Sequence, residues 1–90
     1  MHHLKTWPKF FEQAWQGNKP FEVRINDRKF QAGDEIVLME YDHDNDIYSG
    51  REIRGMITYV LKDYHAIADG YVAFAYRADS FWVAPKKTEL

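Results

Sequence analysis

No cysteine occurs in the 90 residues, which excludes a disulfide framework and a thiolate zinc site. Apolar runs approaching the roughly 20 residues that span a bilayer are missing too, and the N-terminus has no signal-peptide core. The expected location is the cytoplasm, with no membrane partner. A generally basic surface is also lacking: the net charge is -2, which argues against a nucleic-acid coat along the whole chain. Metal-ligand patterns are absent in the same way. His2, His3, His43 and His65 lack helical ligand spacing. Asp42, Asp44 and Asp46 open like a calcium loop, but Ile47 and Ile53 stand where that loop needs its turn glycine and its bidentate glutamate. Ser49 and Ser80 sit in turns without a nucleophile elbow, and Thr58 suits a strand, so no serine-type triad is expected. Neither a metal nor a cofactor is predicted.

What is present is a dense apolar complement, 46% of residues with 17% aromatic, enough for one core in one domain. The core is expected over about residues 2–84, with a frayed tail at 85–90. Pro8 suits the first position of a helix, Phe10, Phe11, Ala14 and Trp15 share one face, and Gly17 is a natural stop. From Phe21 to Asn26 the pattern alternates, with Phe21, Val23 and Ile25 on one side and Glu22, Arg24 and Asn26 on the other. The second side reads as a polar face, functional or solvated. Turns at 27–29 and 32–34 lead to a strand over 35–41, apolar enough to be buried on both sides. A polar hairpin loop over 42–50 precedes a strand over 51–61 in which Gly55 marks a bulge. Strands over 71–76 and 81–84 complete a mostly β (α+β) fold: a small β-barrel of about five to six strands with one N-terminal helix.

Charge is segregated along this frame. Residues 17–33 carry Lys19, Arg24, Arg28 and Lys29 against Glu22 and Asp27, whereas residues 34–52 carry Asp34, Glu35, Glu40, Asp42, Asp44, Asp46 and Glu52 against Arg51. A local cationic site is therefore compatible with an acidic chain. Alternation puts Glu22 and Arg24 on one strand face, and Lys19 enters from the preceding turn. Lysine and arginine can engage phosphate or carbonyl oxygens, and a carboxylate can accept from a base N–H. Trp15, Tyr71 and Trp82 are the aromatics to test for base stacking, while Phe10, Phe11, Phe21, Phe74 and most tyrosines fall at periodic core positions.

Many short elements recur in order: Leu4-Lys5, Pro8, Phe11, Gly17-x-Lys19, Phe21-Glu22-Val23-Arg24, Asn26-Asp27-Arg28, Phe30, Gly33-Asp34, Tyr48-x-Gly50-Arg51, Ile57-x-Tyr59-Val60 and Gly70-Tyr71-Val72. Over residues 2–76 the chain resembles the short bacterial and phage proteins of the DUF3850 type, within the ASCH group of the PUA-like superfamily. The resemblance implies a PUA-like barrel and a role in binding RNA, or a nucleotide or modified base. Gly17, Lys19, Glu22 and Arg24 take the place of the ASCH G-x-K-x-x-E-x-R signature lining a cleft. Asn26, Asp27 and Arg28 match the narrower pattern and shape its rim, and Tyr71 joins the candidate ligand set. Some ASCH-like relatives hydrolyse the acetyl amide of acetylated cytidine with a lysine in the matching turn and a threonine three residues later. Glu22 stands there, so the covalent mechanism lacks its nucleophile and a binding role is expected over an enzymatic one. Two alternatives remain: a nucleoside amidohydrolase using Lys19 and Glu22, and a protein-interaction module using the acidic surface of residues 34–52.

Overall fold

The computed structural model describes residues 1–84; the expected fraying of the tail concerns residues outside that range. Among the described residues there is one helix, α1 (Pro8–Trp15), opened by Pro8, where a missing N–H leaves no hydrogen bond unmade. Phe11 and Ala14, one turn apart, are its buried residues. Gly17 ends it with φ +83°: its N–H donates to the Ala14 carbonyl and the Asn18 N–H to that of Gln13. Among the described residues no helix is long and apolar enough to cross a membrane.

Five strands, β1 (His2–Thr6), β2 (Phe21–Ile25), β3 (Glu35–Asp42), β4 (Ile47–Leu61) and β5 (Tyr71–Val83), form one sheet in the order β1-β3-β4-β5-β2. Only the β1/β3 pair is parallel. The architecture is mostly strand with one helix, as the pattern predicts, but three boundaries differ. Strand β1 has no counterpart among the expected elements, because Leu4 is the lone aliphatic residue of His2-His3-Leu4-Lys5-Thr6. It forms by pairing with β3, His2 opposite Ile36 through Thr6 opposite Glu40. The expected strands at 71–76 and 81–84 are one strand. Arg77 and Asp79 do not interrupt it because this half of β5 lies beyond the core and keeps both faces partly wet. Strand β4 likewise begins at Ile47, which shortens the hairpin loop. Asp42 closes that loop by accepting from the N–H groups of Asp44 and Asn45, at 3.0 and 3.3 Å.

The core comprises Leu4 of β1, Ile36 and Leu38 of β3, Ile53 and Ile57 of β4, and Val72, Phe74 and Tyr76 of β5, closed by Phe11, Ala14 and Phe30. Gly55 sits at a register shift between β4 and β5; a Cβ there would lie 2.3 Å from the Arg77 carbonyl oxygen. Arg51 ties the helix to the sheet, donating to Glu40 Oε1 at 2.9 Å and to Glu12 Oε1 of α1 at 2.9 Å, with its guanidinium 5.2 Å from the Phe11 ring centre. Ser49 adds a hydrogen bond to Glu40 at 2.6 Å.

The sheet curls into a half-barrel, and its two edge strands, β1 and β2, come close without a backbone ladder between them. Side chains bridge the seam instead. Arg24 on β2 donates to the Lys5 carbonyl at 2.9 Å, and Arg28 donates to the His3 carbonyl at 2.7 Å. These carbonyls belong to the edge of β1 that faces away from β3, so the arginines satisfy acceptors a sixth strand would otherwise take.

Gly55→Ala is expected to destabilise the fold by about 3 kcal/mol, since the clash is with backbone; equilibrium urea unfolding measures it. The Arg51 hydrogen bond, with help from Ser49, holds the Glu40 carboxyl below the value of 4.5 it has when unpaired. A depressed folded-state value stabilises the protein above pH 4.5, and that stabilisation is lost as pH falls through the depressed value. Glu40→Gln should lower stability at pH 7 and flatten its acid limb below pH 5, read by thermal melts across pH.

Candidate functional site

The register of β2 on β5 decides where the charged strand face points. Glu22 pairs with Phe74 and Arg24 with Val72, both core residues, so the two charges face into the half-barrel. Phe21, Val23 and Ile25 point outward, 48%, 57% and 54% exposed, while Glu22 is 3% exposed. The polar face expected at residues 22, 24 and 26 is thus the inward one, and the apolar side carries the solvent. The physical reason lies in β5. Its alternate set Val72, Phe74 and Tyr76 fills the core, whereas Ala73 and Ala75 on the other face would fill little.

A carboxylate this buried needs partners, and it has two cations. Arg24 donates to Glu22 Oε1 through Nε at 2.9 Å and through Nη2 at 2.7 Å. Lys19, swung in from the turn after α1, donates to Glu22 Oε2 and to the Phe21 carbonyl at 2.9 Å. Arg24 Nη2 also reaches Thr6 Oγ1 at 3.1 Å, so β1 contributes a hydroxyl. The turn carrying Lys19 is pinned from below by the Tyr76 hydroxyl, which donates to the Lys19 carbonyl at 3.0 Å. Burial, and then the nearby Glu22 charge, push the Tyr76 phenol upward, so it stays a donor across the physiological range.

Above this trio opens a cleft of about 360 Å³ at one end of the seam, lined by Lys5 and Thr6 of β1, Trp7 and Phe10 around the start of α1, residues 19 and 21–24, and His43. Trp7 and His43 stack with ring centres 4.0 Å apart and planes 21° from parallel. Lys5 is held at the rim with its ammonium 4.5 Å from the Tyr41 ring centre. Lys19 lies 5.3 Å from the Phe21 ring centre. Three cations, Lys5, Lys19 and Arg24, therefore line the cleft among aromatic rings, the last two of them paired with Glu22.

The other expected site residues fall elsewhere. Asn26 shapes the turn after β2, its Oδ1 accepting from the Phe30 N–H at 3.0 Å. Asp27, Arg28 and Tyr71 line a second groove of about 290 Å³ farther along the seam, which meets the cleft at Val23 and Arg24. Trp15 packs edge-on to Phe81 under Arg51, and Trp82 lies beneath Arg54 on the extended half of β5; neither lines the cleft. The cleft aromatics are Trp7, Phe10 and Phe21. Phe10 and Phe21, expected in the core, are 44% and 48% exposed, Phe10 because it sits one residue off the buried Phe11 and Ala14 stripe and Phe21 because it is on the outward face of β2. Thr6, Trp7 and His43 had no signal in the sequence, since their place follows from the unrecognised strand β1 and from the loop after β3. The acids Asp42 and Asp46 are engaged within their own hairpin, Asp46 by the Tyr41 hydroxyl, which rises to about 12 mainly through that hydrogen bond.

Residues 1–76 match the protein family described as "Domain of unknown function (DUF3850)". The chain is also 31% identical over 70 residues to an "Uncharacterized 12.9 kDa protein in GpA 3'region" of Escherichia phage P2. That match covers 71% of this chain and 62% of the phage protein, so the chain spans less than two thirds of its relative's length.

Arg24→Ala should cost about 3 kcal/mol, because it strips a buried carboxylate of its bidentate partner and unlaces the seam at Lys5. Arg24→Lys should recover less than half of that, since an ammonium cannot reach Glu22, Thr6 and Lys5 together. Chemical denaturation of both variants checks this, and a lysine variant as stable as wild type would refute the seam's dependence on the guanidinium.

Proposed function

The chain belongs to the DUF3850 family, and we propose that its cleft is the ligand site of an RNA- or nucleotide-binding module of the ASCH, PUA-like kind. One observation carries this reading: in a chain of net charge -2, three cations and three aromatic rings converge on one small cleft. Cations attract phosphate and carbonyl oxygens, and rings stack on bases, so the pairing suits a nucleotide. The volume suits one nucleotide rather than a long strand, and the acidic remainder of the surface would repel an extended one. Glu22 acts first as the tether of Lys19 and Arg24, which fixes their donors before a ligand arrives and lowers the ordering cost of binding. A cytoplasmic location accompanies this reading.

The Lys19–Glu22 contact inside the cleft favours a second reading, an amide hydrolase acting on a nucleoside. It is the weaker of the two, because three of the carboxylate's lone-pair positions already hold cations. Turnover of acylated nucleosides at high protein concentration would establish it.

Fluorescence titration with nucleoside monophosphates and a short single-stranded RNA tests the binding reading. Affinity should fall as salt rises and drop about tenfold in Lys5→Ala and Lys19→Ala. Binding indifferent to salt and to both substitutions would refute the site.

A further inference from the structure

Strand β2 turns its apolar side to solvent, and the register shows what lies beside it. Phe21 pairs with Ala75, Val23 with Ala73 and Ile25 with Tyr71 of β5. One strand farther, Tyr59 and Leu61 of β4 pair with the same two alanines. Paired residues of an antiparallel ladder share a face, so these eight apolar side chains form one outer surface with no charged member. Phe21, Val23, Ile25, Tyr59 and Tyr71 are each between 41% and 63% exposed. Leu61, Ala73 and Ala75 are partly exposed. Together they leave on the order of 500 Å² of contiguous apolar surface, toward the upper end of what a lone soluble chain shows. A sheet face that met only water would carry polar residues at these positions.

The patch has relief. Phe21, Val23 and Ile25 form one ridge, Tyr59 and Leu61 form another, and the short side chains of Ala73 and Ala75 make a trough between them. We propose that two copies of this chain pair through this face. A two-fold axis lying in the contact plane along the β2/β5 boundary sets the β2 ridge of each copy on the alanine column of the other, so the surface is complementary to itself. Two such patches bury on the order of 1,000 Å² together, the lower bound for a specific interface, and the pairing is correspondingly reversible. Phe21 and Val23 also border the cleft, so the contact runs up to its rim, but the pairing does not depend on what the cleft binds.

Sedimentation equilibrium of the wild-type chain over roughly 1–500 µM reads the pairing, with the mass expected to rise from that of one copy toward that of two. Val23→Lys puts a charge in the middle of the β2 ridge, and Tyr59→Lys does the same on β4, away from the Glu22 cluster. Both positions are more than half exposed, so both variants are expected to keep the wild-type circular dichroism and melting temperature. Each should weaken association about tenfold or more. A wild-type chain that remains a single copy at every concentration would overturn the pairing and leave the face to a different protein. A dimer that neither folded variant weakens would overturn it too, and so would assembly that continues past two copies, since a two-fold contact closes on itself.

Discussion

The rest of this structure depends on one buried carboxylate. Glu22 sits on the core side of an edge strand, opposite Phe74, where an unpaired charge would be costly. Its two cations do more than neutralise it. Arg24, gripped through Nε and Nη2, is aimed across the seam at β1, and Lys19 is drawn from its turn over the mouth of the half-barrel. The interaction that stabilises the strand's inward charge therefore also sets β2 against β1 and forms the floor of the cleft. Fold and site share a single ion cluster, and neither can be altered without the other.

That sharing explains what was legible in the sequence. Helix α1, the bulge at Gly55, the doubly buried strand around Val37 and the grouping of Lys19, Glu22 and Arg24 all follow from local chemistry: proline at a helix start, alternation and an apolar run. The sense of β2 did not follow. Alternation says that Glu22 and Arg24 share a face, but which face is inward is decided by Val72, Phe74 and Tyr76 nearly fifty residues away. Strand β1 is hidden for a similar reason, since it exists through its parallel pairing with β3 and carries one aliphatic side chain. With β1 unread, Thr6 and the cleft wall at Trp7 could not be placed.

A second network works by different means. Arg51 joins Glu12 of the helix to Glu40 of β3 over the Phe11 ring, fixing α1 across the half-barrel. Because Trp7 and Phe10 ride at the start of that helix, the width of the cleft on that side is set by an ion pair remote from it. Arg51 thus belongs to the scaffold of the site although it never lines it, and the acids that make this part of the sequence look like a charged surface are largely spoken for within the fold.

The seam has a consequence of its own. In a closed barrel every strand joint is made of many backbone hydrogen bonds, so no single substitution can open one. Here the joint between β1 and β2 is made by two side chains, Arg24 on the Lys5 carbonyl and the Thr6 hydroxyl, and Arg28 on the His3 carbonyl. It works as a clasp rather than a weld: a change in one codon loosens it, while the backbone ladders of the sheet behind stay in place.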